Sequence, residues 1–322
     1  MKEVQLWSFV QEKLSSGEKL ILIIVADSNL SSPGKAGFKL VVTQKGELFG
    51  TIGGGIMEYN MIRECEEMFR NGVSEIQRKK LYHSKTSEGI ASGLQCGGSQ
   101  TLLFIPMNSM HLSLAKNITT AAHGMVTGVL TVTESDIIFS MGELFCKHPE
   151  YLESSEHGFS YREANGVPDL AWVIGGGHVG LAVSRQMAQL GFYVVTIDPR
   201  ESLFTMQQNT YAQKKLTIPY DKIGEYIPGY CRSYAVIVTA DRDTDAIALK
   251  EIIRKNFRYI GMMGSKKKIQ SIFKQLIDAG INEELLKKVH APIGMEIAAE
   301  TPDEIAVSIA AEIISVRNQR EE

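Results

Sequence analysis

Gly175-Gly176-Gly177-His178-Val179-Gly180 follows the apolar run Ala171–Ile174 and opens the apolar-periodic stretch Val179–Leu190. A G-x-G-x-x-G turn between a strand and a helix is the phosphate-holding turn of a nucleotide-type α/β domain. Gly175 permits the tight turn, Gly177 lets a phosphate approach the backbone, and Gly180 allows close helix–strand packing. The first helical amides, His178 among them, and the helix dipole then face the anion. Asp198 stands 18 residues beyond Gly180, at the end of the next strand, Tyr193–Ile197. A carboxylate there can accept hydrogen bonds from ribose hydroxyls. Arg200 has two readings, a phosphate contact or an ion pair with Asp198 or Glu201.

Beyond this unit the alternation continues. Strand Ala235–Thr239 precedes helix Ala246–Asn256, strand Tyr259–Met262 precedes helix Lys266–Ala279, and a last helix runs from about Pro302 to Val316. This spacing predicts a Rossmann-like, doubly wound parallel sheet with helices on both faces, over residues 168–322. Upstream, His148–Asp169 is polar, holds Pro149, Gly158, Gly166 and Pro168, and reads as a domain break with a short extended piece at Phe159–Arg162.

Residues 1–155 then form a smaller α+β domain. Met1–Lys13 reads as an amphipathic helix. Leu20–Ala26, Phe38–Thr43, Leu48–Ile52, Lys80–His83 and Thr101–Ile105 read as strands, and Val126–Val132 with Ile137–Phe139 as a hairpin. Met57–Phe69 carries a helical pattern.

A chain of 322 residues suits two domains, and 44% hydrophobic with 22% charged residues is a globular composition. The net charge of −3 gives no electrostatic reason to expect nucleic acid or acidic lipid as a partner. No apolar run is long enough to span a membrane and no signal peptide is evident, so a cytoplasmic location is expected. Cys65, Cys96, Cys146 and Cys231 are scattered without a C-x-x-C pair, and reduced thiols are expected.

Four further loops could carry chemistry. Gly53-Gly54-Gly55 lies between strand and helix, with Glu58 in the first helical turn. The alternative there is a flexible turn with a helix-stabilising carboxylate. Cys96-Gly97-Gly98 leaves a thiol uncrowded, suited to a soft metal or a sulfur atom, although most such cysteines simply pack. Gly264-Ser265-Lys266-Lys267-Lys268 crowds cations where a helix dipole disfavours them, a conflict a bound anion would relieve; a solvated basic helix start is the alternative. His290 and Glu300 would lie at the carboxyl edge of the sheet, where ligands bind in such folds. Thr301 with Glu304 reads as a capping box, with Pro302 at the first helical position.

Taken together, these motifs resemble the XdhC/CoxI family, accessory proteins of xanthine dehydrogenase and related molybdenum hydroxylases. The resemblance rests on Ser31-Ser32-Pro33-Gly34, Gly50–Gly55 with Glu58, and Cys96-Gly97-Gly98 in the first half. In the second it rests on Gly175–Gly180, Ile197–Arg200, Tyr259–Gly261 with Gly264-Ser265, and His290–Gly294 leading to Ala299-Glu300-Thr301-Pro302. Three positions depart from the family pattern: Thr239–Arg242 lacks a histidine, Glu296 replaces an aspartate, and Ala298 replaces a glycine.

The resemblance implies a non-catalytic chaperone that binds the molybdenum cofactor (molybdopterin, mono- or dinucleotide form). It would support sulfuration with a cysteine desulfurase and pass the cofactor to an apo-hydroxylase of xanthine dehydrogenase type. A homodimer is also implied. The expected arrangement has phosphate at Gly175–Gly180 or Gly264–Lys266, with Cys96, a candidate molybdenum ligand, and Glu58 reaching it from the first domain.

Two alternatives come from other classes. An NAD-dependent oxidoreductase acting on a small carbonyl substrate would use the same glycine turn and Asp198. It lacks a convincing acid/base set, since Tyr211 and Lys215 fall too soon after the turn. A nucleotide-responsive adaptor is the other.

Overall fold

The computed structural model describes residues 2–29, 31–82, 90–91, 98–154 and 158–319. The chain divides into two compact units, Lys2–Val167 and Pro168–Glu322.

The first unit contains α1 (Lys2–Ser15), β1 (Leu20–Asn29), β2 (Lys39–Thr43), β3 (Leu48–Gly50), α2 (Gly55–Asn71), β4 (Gln77–Tyr82), β5 (Ile90–Ala91) and β6 (Ser99–Met107). It continues through α3 (Leu112–His123), β7 (Thr127–Thr133), β8 (Ile137–Met141), β9 (Glu150–Ser154) and β10 (Gly158–Gly166). The larger sheet runs β3-β2-β1-β6-β4-β5, and the smaller runs β8-β7-β10-β9. Strand β1 is apolar at consecutive positions because both of its faces are buried. Leu20, Leu22, Ile24 and Ala26 join a core with Trp7 and Val10 of α1 and Leu130 and Tyr161 of the smaller sheet. Ile21, Ile23 and Val25 face Met57, Met61 and Cys65 of α2. At about 25 cal/mol per Å² of apolar surface removed from water, these two layers dominate the stability of the unit.

Sequence expectations fail here in three places. The polar stretch from His148 is not a linker: β9 and β10 pair with each other, and β10 pairs with β7 to complete the smaller sheet. Helix α3 was not expected. Cys65 is buried and free, whereas Cys146 and Cys231 are disulfide-bonded, against the expectation of reduced thiols.

The second unit contains β11 (Leu170–Ile174), α4 (His178–Gln189), β12 (Tyr193–Ile197), α5 (Phe204–Gln208), β13 (Lys214–Leu216), α6 (Ile223–Tyr226) and β14 (Ser233–Ile237). It ends with α7 (Arg242–Ile252), β15 (Tyr259–Met262), α8 (Lys266–Asp278), α9 (Glu283–Leu286) and α10 (Pro302–Asn318). Its five strands are all parallel, in the order β13-β12-β11-β14-β15. The expected Rossmann-like sheet is therefore present. Its order reverses between β11 and β14, and the crevice outside the carboxyl ends at such a reversal is where ligands bind in open α/β sheets. Among the described residues no helix is long and apolar enough to cross a membrane.

Candidate functional site

The glycine turn after β11 is built by close backbone approach. Gly175 has φ +117°, and a Cβ there would lie 2.3 Å from the carbonyl oxygen of Val238 at the end of β14. A Cβ on Gly180 would lie 1.9 Å from the oxygen of Gly175, so α4 rests directly on the turn. Gly177 differs from both. It is the N-cap of α4, carries no side-chain cap, and a Cβ there would meet nothing within 4 Å. The first-turn amides of α4 thus receive no acceptor from their own cap, and there is room beside Gly177, the local condition for holding an anion. His178, at the first helical position, is exposed.

Asp198 does not point into that space as a free acceptor. It is fully buried, and its oxygens accept from the Gly176 amide (2.8 Å), from Arg200 N, Nε and Nη2 (3.0, 2.8 and 2.7 Å) and from Tyr220 Oη (3.3 Å). Burial alone would raise its pKa, but the Arg200 and backbone hydrogen bonds outweigh it and hold the carboxyl below its ordinary value. The carboxylate expected for ribose is therefore spent on fixing the turn, and Arg200 takes the ion-pair reading.

On the other side of the strand-order reversal, Asp245 is buried in the first turn of α7. It accepts from Thr239 N (3.2 Å) and Oγ1 (2.5 Å), and pairs with Lys268 at 2.6 Å. Burial nonetheless keeps the Asp245 pKa above its ordinary value. Ser265 caps α8 by accepting from the Lys268 amide. Asp245 thus relieves part of the charge conflict that suggested an anion at Gly264–Lys266, while Lys266 remains exposed.

His290 forms a parallel bridge with Gly261, so it lies level with the interior of β15 and not beyond its carboxyl end. Its ring lies tilted against that of Tyr259, with centroids 4.5 Å apart, and its Nδ1 lies 3.1 Å from Glu312 Oε1. Glu312 Oε2 accepts from Tyr259 Oη (2.5 Å) and the Gly294 amide (2.8 Å). Burial would raise the Glu312 pKa, but the hydrogen bonds from His290, Tyr259 and Gly294 lower it. Sequence reading missed Glu312 because a carboxylate midway along a helix carries no local mark.

Replacing Glu312 by glutamine is expected to cost the second unit about 1–3 kcal/mol, the usual worth of hydrogen bonds to a charged group. That contribution is present above the unfolded carboxyl pKa, near 4.3, and is lost as pH falls through the lower folded value. Urea denaturation at pH 7 and pH 3.5 checks it: the difference between wild type and Glu312→Gln should shrink at the acid end.

Glu300 is exposed, and its amide, with that of Thr301, donates to Glu304 in the expected capping box. Ala298, where the resembling family carries glycine, has φ +54°, a conformation that favours glycine.

In the first unit, Gly53, Gly54 and Gly55 all have positive φ. Glu58 Oε2 accepts from Thr51 Oγ1 (2.6 Å) and from the amides of Ile52 (2.8 Å) and Gly54 (3.1 Å), so this carboxylate staples its own loop. Gln100, fully buried, donates to the carbonyls of Gly34 and Ile52 and ties the Ser31–Gly34 loop to the triple-glycine loop. Gly98 packs on Ser32, where a Cβ would lie 2.8 Å from its amide. Cys96 lies outside the described residues. Among those described, no group of three or more His, Cys, Asp or Glu side chains is placed to hold a metal ion.

Comparison with known proteins follows the two-unit organisation. The XdhC Rossmann domain matches residues 171–313, and the XdhC and CoxI family matches residues 14–79. Uncharacterized protein YqeB of Escherichia coli (strain K12) is 26% identical over 298 residues, which cover 91% of this chain and 43% of that protein. The chain thus spans less than half of that relative's length. A Bacillus subtilis (strain 168) protein, named as a probable xanthine dehydrogenase subunit, is 22% identical, with 95% and 96% of the two chains covered. A Bacillus halodurans crystal structure, described as a xanthine dehydrogenase, superposes with a TM-score of 0.75 at 19% identity, over 100% of this chain and 97% of that one, and is similar in fold. With the XdhC and CoxI model matched within the first unit and the XdhC Rossmann model across most of the second, in that order, the chain belongs to the XdhC/CoxI family.

Proposed function

We propose that the chain is an accessory protein of a xanthine dehydrogenase-type molybdenum hydroxylase. It binds the molybdenum cofactor, supports its sulfuration by a cysteine desulfurase, and delivers it to the apo-enzyme. Family membership and the Bacillus subtilis relative's name support the accessory role. The observation that carries cofactor binding is the first turn of α4, uncapped and open at Gly177 beside the strand-order reversal.

The donor set fits the anionic end of such a ligand. Backbone amides behind Gly177 hold phosphate without a metal, and Asp198 keeps the turn rigid by binding the Gly176 amide. When bound, the cofactor would bring its molybdenum with it. The role of Cys96 as a molybdenum ligand belongs to this proposal, as do the cytoplasmic location and the homodimer. The oxidoreductase alternative loses support, because both oxygens of Asp198 are engaged and Lys215 Nζ donates to the Met206 carbonyl.

Gly177→Asp separates binding from folding. An aspartate at the N-cap satisfies first-turn amides and changes stability by no more than a few tenths of a kcal/mol, in the stabilising direction. It also sets a negative charge where the phosphate would sit, and binding should weaken at least about tenfold. The chain should be purified from cells competent in cofactor synthesis, and its molybdenum and oxidised pterin measured. Both should accompany the wild type and be absent from the equally stable Gly177→Asp. A wild type that carries neither, and that fails to bind supplied cofactor, refutes the proposal.

A further inference from the structure

A cavity of about 510 Å³ lies on the side of α4, bounded by the loop after α5 and the first turn of α10. That is the size of a small-molecule site, and such sites combine an apolar floor with a few placed polar groups. Leu181 and Ala182 form the floor here, and His178, Gln208, Thr210 and Tyr211 stand around it.

One wall is fixed from behind. Asn209 is buried, and its amide nitrogen donates to Ser184 Oγ (3.0 Å) and Thr196 Oγ1 (3.2 Å). Its oxygen accepts from the amides of Tyr211 and Ala212, both at 3.2 Å. The segment that presents Gln208, Thr210 and Tyr211 is therefore pinned to α4 and β12. A buried, fully satisfied amide of this kind preorganises the wall it supports.

Arg185 is the one permanent cation among the lining residues, and it pairs with Asp303. Both side chains are exposed, at 42% and 65%, so the pair contributes little to stability. Asp303 also lies in the first turn of α10, where the helix dipole favours its charge without Arg185. Arg185 can therefore turn to an incoming anion at small cost. Two ring side chains, a hydroxyl and a carboxamide suit a planar group whose edge both donates and accepts.

We propose that this cavity is a second small-molecule site, adjoining the glycine turn at His178 but built on the side of α4 and not on its first-turn amides, for a planar heterocycle bearing one anionic group. Arg185 receives the anion, Tyr211 and His178 flank the ring, and Gln208 with Thr210 reads its edge. The shared chemistry is met by a purine mononucleotide and by a pterin carboxylate.

Calorimetric titration of the full chain with GMP, pterin-6-carboxylate and inorganic phosphate tests the proposal and distinguishes the two sources. At least one ring compound should bind saturably, and phosphate alone should not match it. Arg185→Glu and the cavity-filling Thr210→Trp, both at accessible positions, should each weaken binding at least about tenfold, the effect of losing one charge-assisted contact. Gly177→Asp should leave this binding within about twofold while removing any binding at the glycine turn. Three results overturn the proposal: no saturable binding of either ring compound, binding indifferent to both cavity variants, or binding abolished by Gly177→Asp.

Discussion

Replacing Gly180 by alanine is expected to unfold the second unit at a much lower temperature while leaving the first unit intact. The added Cβ would lie 1.9 Å from the Gly175 carbonyl oxygen and 3.0 Å from its carbon. Neither atom can retreat freely. The Gly175 amide donates to Ile197 (2.8 Å), and the other side of Gly175 is closed by the Val238 backbone. The helix must move instead, and with it Ala182, Val183 and Met187, which pack against β11, β14 and α10.

Overpacking ordinarily costs about 1–3 kcal/mol. With backbone on both sides the upper end applies, so a loss near 3 kcal/mol would lower the melting temperature of a unit this size by about 6–12 °C. Calorimetry combined with hydrogen exchange over residues 168–319 resolves it. Gly177→Ala is the control: it meets no atom within 4 Å and should cost no more than about 1 kcal/mol, the loss expected at an N-cap. Equal, small shifts for the two variants would show that close approach at Gly180 does not hold this turn together.

The same contacts explain why the second unit is easy to read from its sequence. Strands β11, β12, β14 and β15 are almost wholly buried, so they appear as short apolar runs, and Gly175 and Gly180 mark sites where a Cβ does not fit. What escaped reading was the use of each side chain. Asp198 stands where a ribose acceptor would, but whether Arg200 and the Gly176 amide reach it first depends on three-dimensional placement. His290 was noticeable as a histidine beside a turn, whereas Glu312, which orients it, lies 22 residues away on another element.

The first unit is less legible for a different reason. Strand β10 does alternate, with Phe159, Tyr161, Glu163 and Asn165 buried, but two of those four inward residues are polar. A rule that equates inward with apolar picks up only the short extended piece Phe159–Arg162 and reads the rest as a linker.

Those inward polar residues set up the largest expected effect in the first unit. Lys39 is nearly fully buried, with its ammonium 2.8 Å from Glu3 and 2.9 Å from Glu163, and it also donates to the Gly37 carbonyl. Tyr161 Oη donates to Glu163 (2.9 Å), while Asn165 and Trp7 donate to Glu3, each at 3.2 Å. Burial by itself would lower the Lys39 pKa, but attraction to Glu163 and Glu3 raises it above its ordinary value. Burial, reinforced by repulsion from Glu3, keeps Glu163 raised in spite of Lys39.

Lys39→Met removes the cation of this cluster and leaves two carboxylates facing each other, one of them buried. Breaking a buried pair from one side costs about 3–5 kcal/mol. The pH dependence identifies the cause. A carboxyl whose folded pKa is raised binds its proton more tightly in the folded state, so the folded variant gains stability as pH falls. Urea unfolding at pH 8 and pH 5, followed in the first unit by hydrogen exchange, should show the Lys39→Met deficit shrinking toward acid. Lys39→Met with Glu163→Gln should recover most of the loss at pH 8, because the buried charge that lacked a partner is gone. A deficit independent of pH and unrelieved by Glu163→Gln would mean that Lys39 acts through packing of its aliphatic stem, and that β10 is held by apolar contacts alone.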